Sequence, residues 1–314
     1  MANVLVIGVG GAIGDAALAA FRRAGVKAVG VARRGRTTQP SEIPIVTADR
    51  TKPQSIIDVI RYRKIDVVID VLAMTMKETT PLLDALDGLV KRYVLISSSD
   101  VYRNYGLLHR KETGEPLPWL SETSPLRTSR YPYRLGATRS PNDPALWLDH
   151  YDKIPIEDAT RAMSIESTIL RLPMVYGPSD RQKRFNWAAA PMKKDAPELA
   201  APREWLDWTT TYGFSGNVGW AIAQSALAPG AANETFNVVD HAPISNRGWA
   251  EAMAARLGWS GEITPSYDPS HPLARGLALL NLSVPLAMDG SKLTGLIGEA
   301  PYSREDALTI TLMQ

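Results

Sequence analysis

The sequence predicts an α/β chain built on a doubly wound parallel sheet, with a smaller lobe toward its C-terminus. Three observations carry that expectation. An apolar run at 4–7 enters a glycine-rich turn and leaves it as Ala-rich sequence with helical spacing. Apolar, β-branched runs then alternate with helix-like stretches through the first half of the chain. After Met174 the alternation breaks down, and Pro and Trp become frequent (Pro191, Pro197, Pro202, Trp187, Trp205, Trp208). Near-continuous apolar strands separated by helices indicate a parallel sheet covered on both faces.

In chain order, strands are expected at 3–7, 27–32, 43–47, 65–72, 92–97 and 168–174. Helices are expected between them, at 12–24, 53–63, 80–90 and 143–163. The connection 100–142 is polar and carries Pro116, Pro118, Pro125, Pro132 and Pro141. A connection of that length without periodicity marks a functional segment rather than a simple link. A helix at 218–228 and a strand at 234–239 are regular enough to return to the main sheet. The expected organisation is a Rossmann-type domain at 1–177, to which 217–240 returns. The smaller lobe takes 178–216 and 241–314 and is expected to bind substrate.

The bulk properties narrow the function classes. Of 314 residues, 35 are Lys or Arg and 33 are Asp or Glu, a net charge of +2. That balance gives no footprint for nucleic acid or an anionic membrane surface. No apolar stretch reaches the roughly 18 residues a membrane helix needs, and the start of the chain does not read as a signal peptide. There is no cysteine, and His109, His150, His241 and His271 are scattered, so no metal site is expected. No Gly-x-Ser-x-Gly elbow is present. The expectation is a cytoplasmic globular protein acting on a small molecule, with a homodimer compatible with it.

The order strand, glycines, helix is the context in which a dinucleotide fingerprint has physical meaning. Gly8, Gly11 and Gly14, with Gly10 between them, let the backbone turn tightly and approach a pyrophosphate. The start of the following helix, at Ala12 and Ile13, offers unpaired N–H groups to the phosphates. The end of the second strand selects the cofactor: a carboxylate there binds the ribose 2′-hydroxyl, and a basic residue accommodates a 2′-phosphate. Here the strand ends Ala32-Arg33-Arg34-Gly35-Arg36, with no acid and with guanidinium groups suited to phosphate. NADP (NADPH) is therefore expected, held by Arg33 and Arg34. Asp49, at the end of the third strand, is placed either to touch the adenine or to cap the next helix.

Gly8-x-x-Gly11-x-x-Gly14, Asp49, the run Ser97-Ser98-Ser99-Asp100-Val101-Tyr102 and the run 170–178 (LRLPMVYGP) together resemble the NAD(P)-dependent epimerase/dehydratase proteins, the extended branch of the short-chain dehydrogenase/reductases. The likeness extends to Asn217-Val218-Gly219 and to 234–238. It places Ala32 where that family carries its cofactor-selecting acid. It also adds Arg50, Leu72, Ala73, Ser97 and Pro173 to the expected cofactor contacts. The resemblance implies a Ser that hydrogen-bonds the reacting oxygen, a Tyr that exchanges its proton, and a Lys four residues after that Tyr. The Lys binds the ribose and lowers the phenol pKa from about 10.

Ser98 and Lys153 take the first and last of these positions. The middle one departs from the pattern, because Asp149 precedes Lys153 by four residues and Tyr151 by only two. On a regular helix, two residues is about 200° of rotation, which puts the two side chains on opposite faces. Three arrangements are compatible with the sequence. The helix begins late and leaves Tyr151 in a turn that reaches the site; another tyrosine acts, Tyr133 or Tyr131 before Tyr102; or a carboxylate such as Asp149 has taken over the proton. Arg181 and Arg184 are candidates for an anionic substrate group. Trp187, Trp205, Trp208 and Tyr212 form either a substrate pocket or the core of the lobe. The expected function is an NADP-dependent oxidoreductase acting on a carbonyl or alcohol. A sugar-type epimerase or dehydratase and a non-catalytic NADP-binding sensor are the rivals.

Overall fold

The structure, a computed structural model, describes residues 2–33, 44–134, 136 and 138–313. Seven parallel strands form the central sheet: β1 (Val4–Ile7), β2 (Ala28–Ala32), β3 (Ile45–Thr47), β4 (Val67–Asp70), β5 (Arg92–Ser98), β6 (Glu166–Leu172) and β7 (Glu234–Asn237). Their spatial order is β7-β6-β5-β4-β1-β2-β3, so the order reverses beside β1 and opens a crevice at the strand C-termini. Every pairing in this sheet is parallel; for example, Val4 to Ile7 lie in register with Val67 to Asp70.

Strand periodicity of two decides which helices each face receives. Val4 and Val6 join one buried cluster with Phe21, Ile222 and Phe236, under α1 (Ala12–Arg23) and the helix Ser215–Leu227. Leu5 and Ile7 join the other with Ile56, Leu82 and Ile156, under α2 (Pro53–Arg63), α3 (Met76–Leu86) and α4 (Lys153–Arg161). No helix among the described residues is long and apolar enough to cross a membrane.

Two helices differ from the sequence expectation. The third begins at Met76 rather than 80, with Thr75 as its N-cap, and it carries Pro81 inside. The long helix expected over 143–163 is instead a 3₁₀ turn, Leu146–His150, a break, and then α4 from Lys153. Asp152 makes the break: its carboxylate accepts the Ile154 N–H at 3.3 Å. Pro155 falls in the first turn of α4, where its missing N–H costs nothing. The connection after β5 is not featureless either, since it holds a short helix at Arg103–Leu108.

Beyond the sheet, Tyr176, Phe185, Tyr212, Phe214 and Trp249 stack into a second, aromatic core. Trp208 is buried in a further cluster with Tyr102, Leu120 and Leu286. Tyr212 and Trp208 therefore build the core of this region. Trp187 and Trp205 are half-buried and meet edge to face at 5.8 Å.

Candidate active site and dinucleotide cavity

β1 runs into the turn at Gly8, whose φ of +100° favours glycine. A Cβ on Gly14 would stand 2.4 Å from the Gly8 carbonyl oxygen, so only glycine lets α1 pack this closely on the turn. A Cβ on Gly11 would meet nothing within 4 Å. Gly8 to Gly11 wall a cavity of about 530 Å³ that continues past Ala32, Arg33 and Asp49 on one side and Leu72, Met74 and Trp147 on the other. The N-terminus of α1 has no side-chain cap, so its first-turn amides, including those of Ala12 and Ile13, are available to an anion. Gly10 is the exception: its N–H donates to Asp15 Oδ1 at 2.5 Å. An open cradle, uncapped amides and a basic wall fit a dinucleotide.

The remaining expected contacts divide. Arg33 lines the cavity; Arg34 lies outside the described residues. Asp49 also lines it, but its carboxylate is engaged by the Thr51 hydroxyl at 2.8 Å and the Thr51 N–H at 3.0 Å. These bonds hold its pKa below the ordinary carboxylate value.

Arg50 lines the cavity with its charge paired. Its guanidinium is spent on Asp70 (2.6–2.9 Å), the Glu78 carbonyl (3.0 Å) and the Thr79 hydroxyl (3.1 Å). Tyr93 donates to the same Asp70 at 2.9 Å. Arg50 thus ties β4 to α3 and offers no free cation. Ser97 projects its side chain to the face of β5 that carries α4 and donates to Glu157 at 2.6 Å. Leu72 lines the cavity, whereas Ala73 and Pro173 are buried.

Lys153 is buried near the C-terminal edge of the sheet. Its ammonium donates to the carbonyls of Ala73 (2.7 Å) and Ile96 (2.8 Å), bridging the ends of β4 and β5, and the residue is 3 % exposed. Burial lowers its pKa to about 8 despite the nearby Asp100 and Asp70.

The break before α4 resolves the Tyr–Lys spacing. Tyr151 stands outside the helix in extended backbone (φ −69°, ψ 127°) and turns its phenol toward the end of β5. There it donates to Asp100 Oδ2 at 2.8 Å and also meets the Ser98 hydroxyl. Tyr133 donates to the same carboxylate oxygen at 3.1 Å, and the two rings meet edge to face at 5.0 Å. Ser98 Oγ in turn accepts the Asp100 N–H at 3.2 Å. Ser98, Tyr151 and Tyr133 therefore converge on a residue the sequence reasoning had not singled out, Asp100.

The other proton candidates are occupied elsewhere. Tyr102 donates to Asn237 at 2.5 Å, and the Tyr131 ring lies under Arg134. Asp149 pairs with Arg139, whose N–H, foremost among the causes, lowers the carboxyl pKa. Arg184 pairs with Asp180 at 2.6 Å.

Asp100 is 1 % exposed, and its Oδ1 has no hydrogen-bond partner. Burial raises its pKa, against the attraction of Arg127 and Lys153 and the bonds from Tyr151 and Ser98. Burial, then the Asp100 charge, pushes the Tyr151 phenol well above its ordinary value. These shifts favour a neutral phenol and a carboxylate that takes up a proton more readily than an exposed Asp. The folded chain then holds that proton more tightly than the unfolded chain does. Ionised Asp100 costs stability at pH above the unfolded carboxylate value of about 3.9. In thermal melts, wild type should lose stability relative to Asp100→Asn as pH rises from about 4. A gap between the two that is unchanged from pH 4 to pH 8 would contradict the shift.

The sequence model of the NAD dependent epimerase/dehydratase family matches residues 4–134. No curated protein matches the chain. Among solved structures it is similar to UDP-glucose 4-epimerase of Thermus thermophilus in complex with NAD, at 17 % identity over 99 % of this chain and 98 % of that one, with a TM-score of 0.67. It is also similar to dTDP-glucose 4,6-dehydratase of Bacillus anthracis in complex with NAD, at 17 % identity over 100 % and 96 %, with a TM-score of 0.66. A short-chain dehydrogenase/reductase superfamily protein of Agrobacterium tumefaciens with bound NAD matches at 18 % identity over 99 % and 96 %, with a TM-score of 0.65. Residues 4–134 thus match the model of the NAD dependent epimerase/dehydratase family, and the chain as a whole shares the fold of these solved structures.

Proposed function

We propose that this chain is a nicotinamide-dinucleotide-dependent enzyme, with NADP preferred, that interconverts a hydroxyl and a carbonyl on a small molecule. The observation that carries the reading is the hydrogen-bonded set Ser98, Tyr151 and Asp100 at the C-terminal end of β5, on the same sheet edge as the glycine cavity. A bound dinucleotide supplies the hydride donor or acceptor. The chain supplies the rest. Ser98 and Tyr151 hold the reacting oxygen. When a substrate hydroxyl loses its proton, Tyr151 accepts it as its own proton passes to Asp100. In reduction the same path runs backward. Lys153 fixes the ends of β4 and β5 and adds a positive field. The segments 178–216 and 241–314 are the proposed substrate lobe.

Two experiments test this reading. With a panel of carbonyl compounds and nucleotide sugars, an oxidoreductase consumes NADPH in step with product. An epimerase or dehydratase, the second reading, turns over without net consumption, and the solved epimerase and dehydratase relatives favour it. Tight dinucleotide binding with no turnover on either panel would contradict both and favour a sensor. For cofactor choice, Arg33→Ala should weaken NADPH binding by roughly tenfold or more, the size of a charge-assisted bond, and leave NADH nearly unchanged. Equal losses for the two would remove the 2′-phosphate assignment.

A further inference from the structure

Arg181 joins the segment after Tyr176 to the glycine turn. The backbone leaving Tyr176 turns at Gly177, and Asp180 folds the next residues into a compact loop. Its carboxylate accepts from the Gln182 N–H (3.0 Å), the Arg184 N–H (2.9 Å) and the Arg184 guanidinium (2.6 Å). Arg184 also donates to the Val175 carbonyl at 2.8 Å, which anchors the loop to the strand before it. Arg181 projects from this braced loop back across the crevice. It lines the cavity opposite the glycine turn, and its Nη2 donates to the Gly10 carbonyl at 3.3 Å.

That contact is long, exposed and made to a neutral oxygen, so it holds the guanidinium weakly. A phosphate at the same turn would be a far better partner, since Arg binds it bidentately with charge on both sides. The turn itself creates the demand. The Gly10 N–H is already taken by Asp15, which leaves the turn one amide fewer for an anion. A doubly anionic pyrophosphate placed here needs a cation that the turn does not provide.

The geometry points to Arg181 as a clamp, supplied from beyond the sheet, on the pyrophosphate of the dinucleotide. The inference rests on the dinucleotide reading above and extends it. Arg33 reads the adenosine end, whereas Arg181 reads the bridge common to NAD and NADP.

Equilibrium binding to the full chain tests it without any substrate. Arg181→Ala should weaken NADPH, NADH and ADP-ribose alike, by roughly tenfold to a hundredfold. Binding of 2′-AMP, which has no pyrophosphate, should be unchanged, and Arg181→Lys should recover part of the loss. Unchanged NADPH and NADH affinity in Arg181→Ala, with normal wild-type binding, overturns the clamp alone. A loss for 2′-AMP as large as that for NADPH also overturns it, by moving Arg181 to the 2′-phosphate. Wild type that binds neither dinucleotide overturns the clamp together with the dinucleotide reading.

Discussion

Asp100→Asn should lower turnover at saturating cofactor and substrate by roughly a hundredfold to ten-thousandfold, the range for losing a positioned acid–base group. The substitution keeps the size of the side chain and one oxygen to accept from Tyr151, while removing the group that stores the proton. Tyr151→Phe should cost a similar factor, because the phenol carries the proton between the reacting oxygen and Asp100. The double variant should be scarcely worse than either single one, since residues acting as one unit do not add. Dinucleotide affinity should stay close to wild type in all three. Wild-type turnover in Asp100→Asn would contradict the assignment, whatever Tyr151→Phe does.

The second large effect is on stability. Glu157 lies on α4, 0 % exposed, beneath the site. It accepts from Ser97 at 2.6 Å, from Arg171 at 2.8 and 3.0 Å, and from Arg161 at 2.8 Å. Arg171, on β6 and 2 % exposed, also donates to the Tyr102 hydroxyl and the Glu122 carbonyl, each at 3.0 Å. This network pins α4 to β5 and β6, and so fixes the position of Lys153 and the break that frees Tyr151. Glu157→Ala leaves the Arg171 charge buried without its counter-ion and should cost about 3–5 kcal/mol in denaturant unfolding. Adding Arg171→Met should restore part of that loss, because a buried pair replaced by apolar groups is often neutral. A cost under about 1 kcal/mol for Glu157→Ala would mean that the pair contributes little beyond what solvent supplies.

The cofactor half was legible in the sequence because its signals are local. The turn at Gly8 to Gly14 needs only a strand before it and a helix after it, and neighbouring residues report both. The alternation of β-branched runs and helical stretches likewise gave the parallel sheet, and the Trp and Tyr clustering corresponds to two further cores, one holding Tyr212 and the other Trp208.

The proposed proton path was not legible, because its members come from three distant segments. Asp100 stood in plain view in the run 97–102, but only the fold brings Tyr133 and Tyr151 to its carboxylate. One local signal does bear on it: Pro155 belongs in a first helical turn, which sets the start of α4 near Lys153 and puts Tyr151 outside it. Strand alternation was another, since Ser97 and Ser98 point to opposite faces and only one can serve the site. The pairing of Arg50 was hidden for a different reason. Nothing beside it in sequence shows that Asp70, twenty residues later, consumes its charge.

The most direct test of the account is equilibrium binding of NADPH and NADH to the wild-type chain, followed by energy transfer from tryptophan to the reduced nicotinamide. The account predicts one saturable site per chain, with NADPH the tighter ligand. Saturable binding by neither dinucleotide would contradict it.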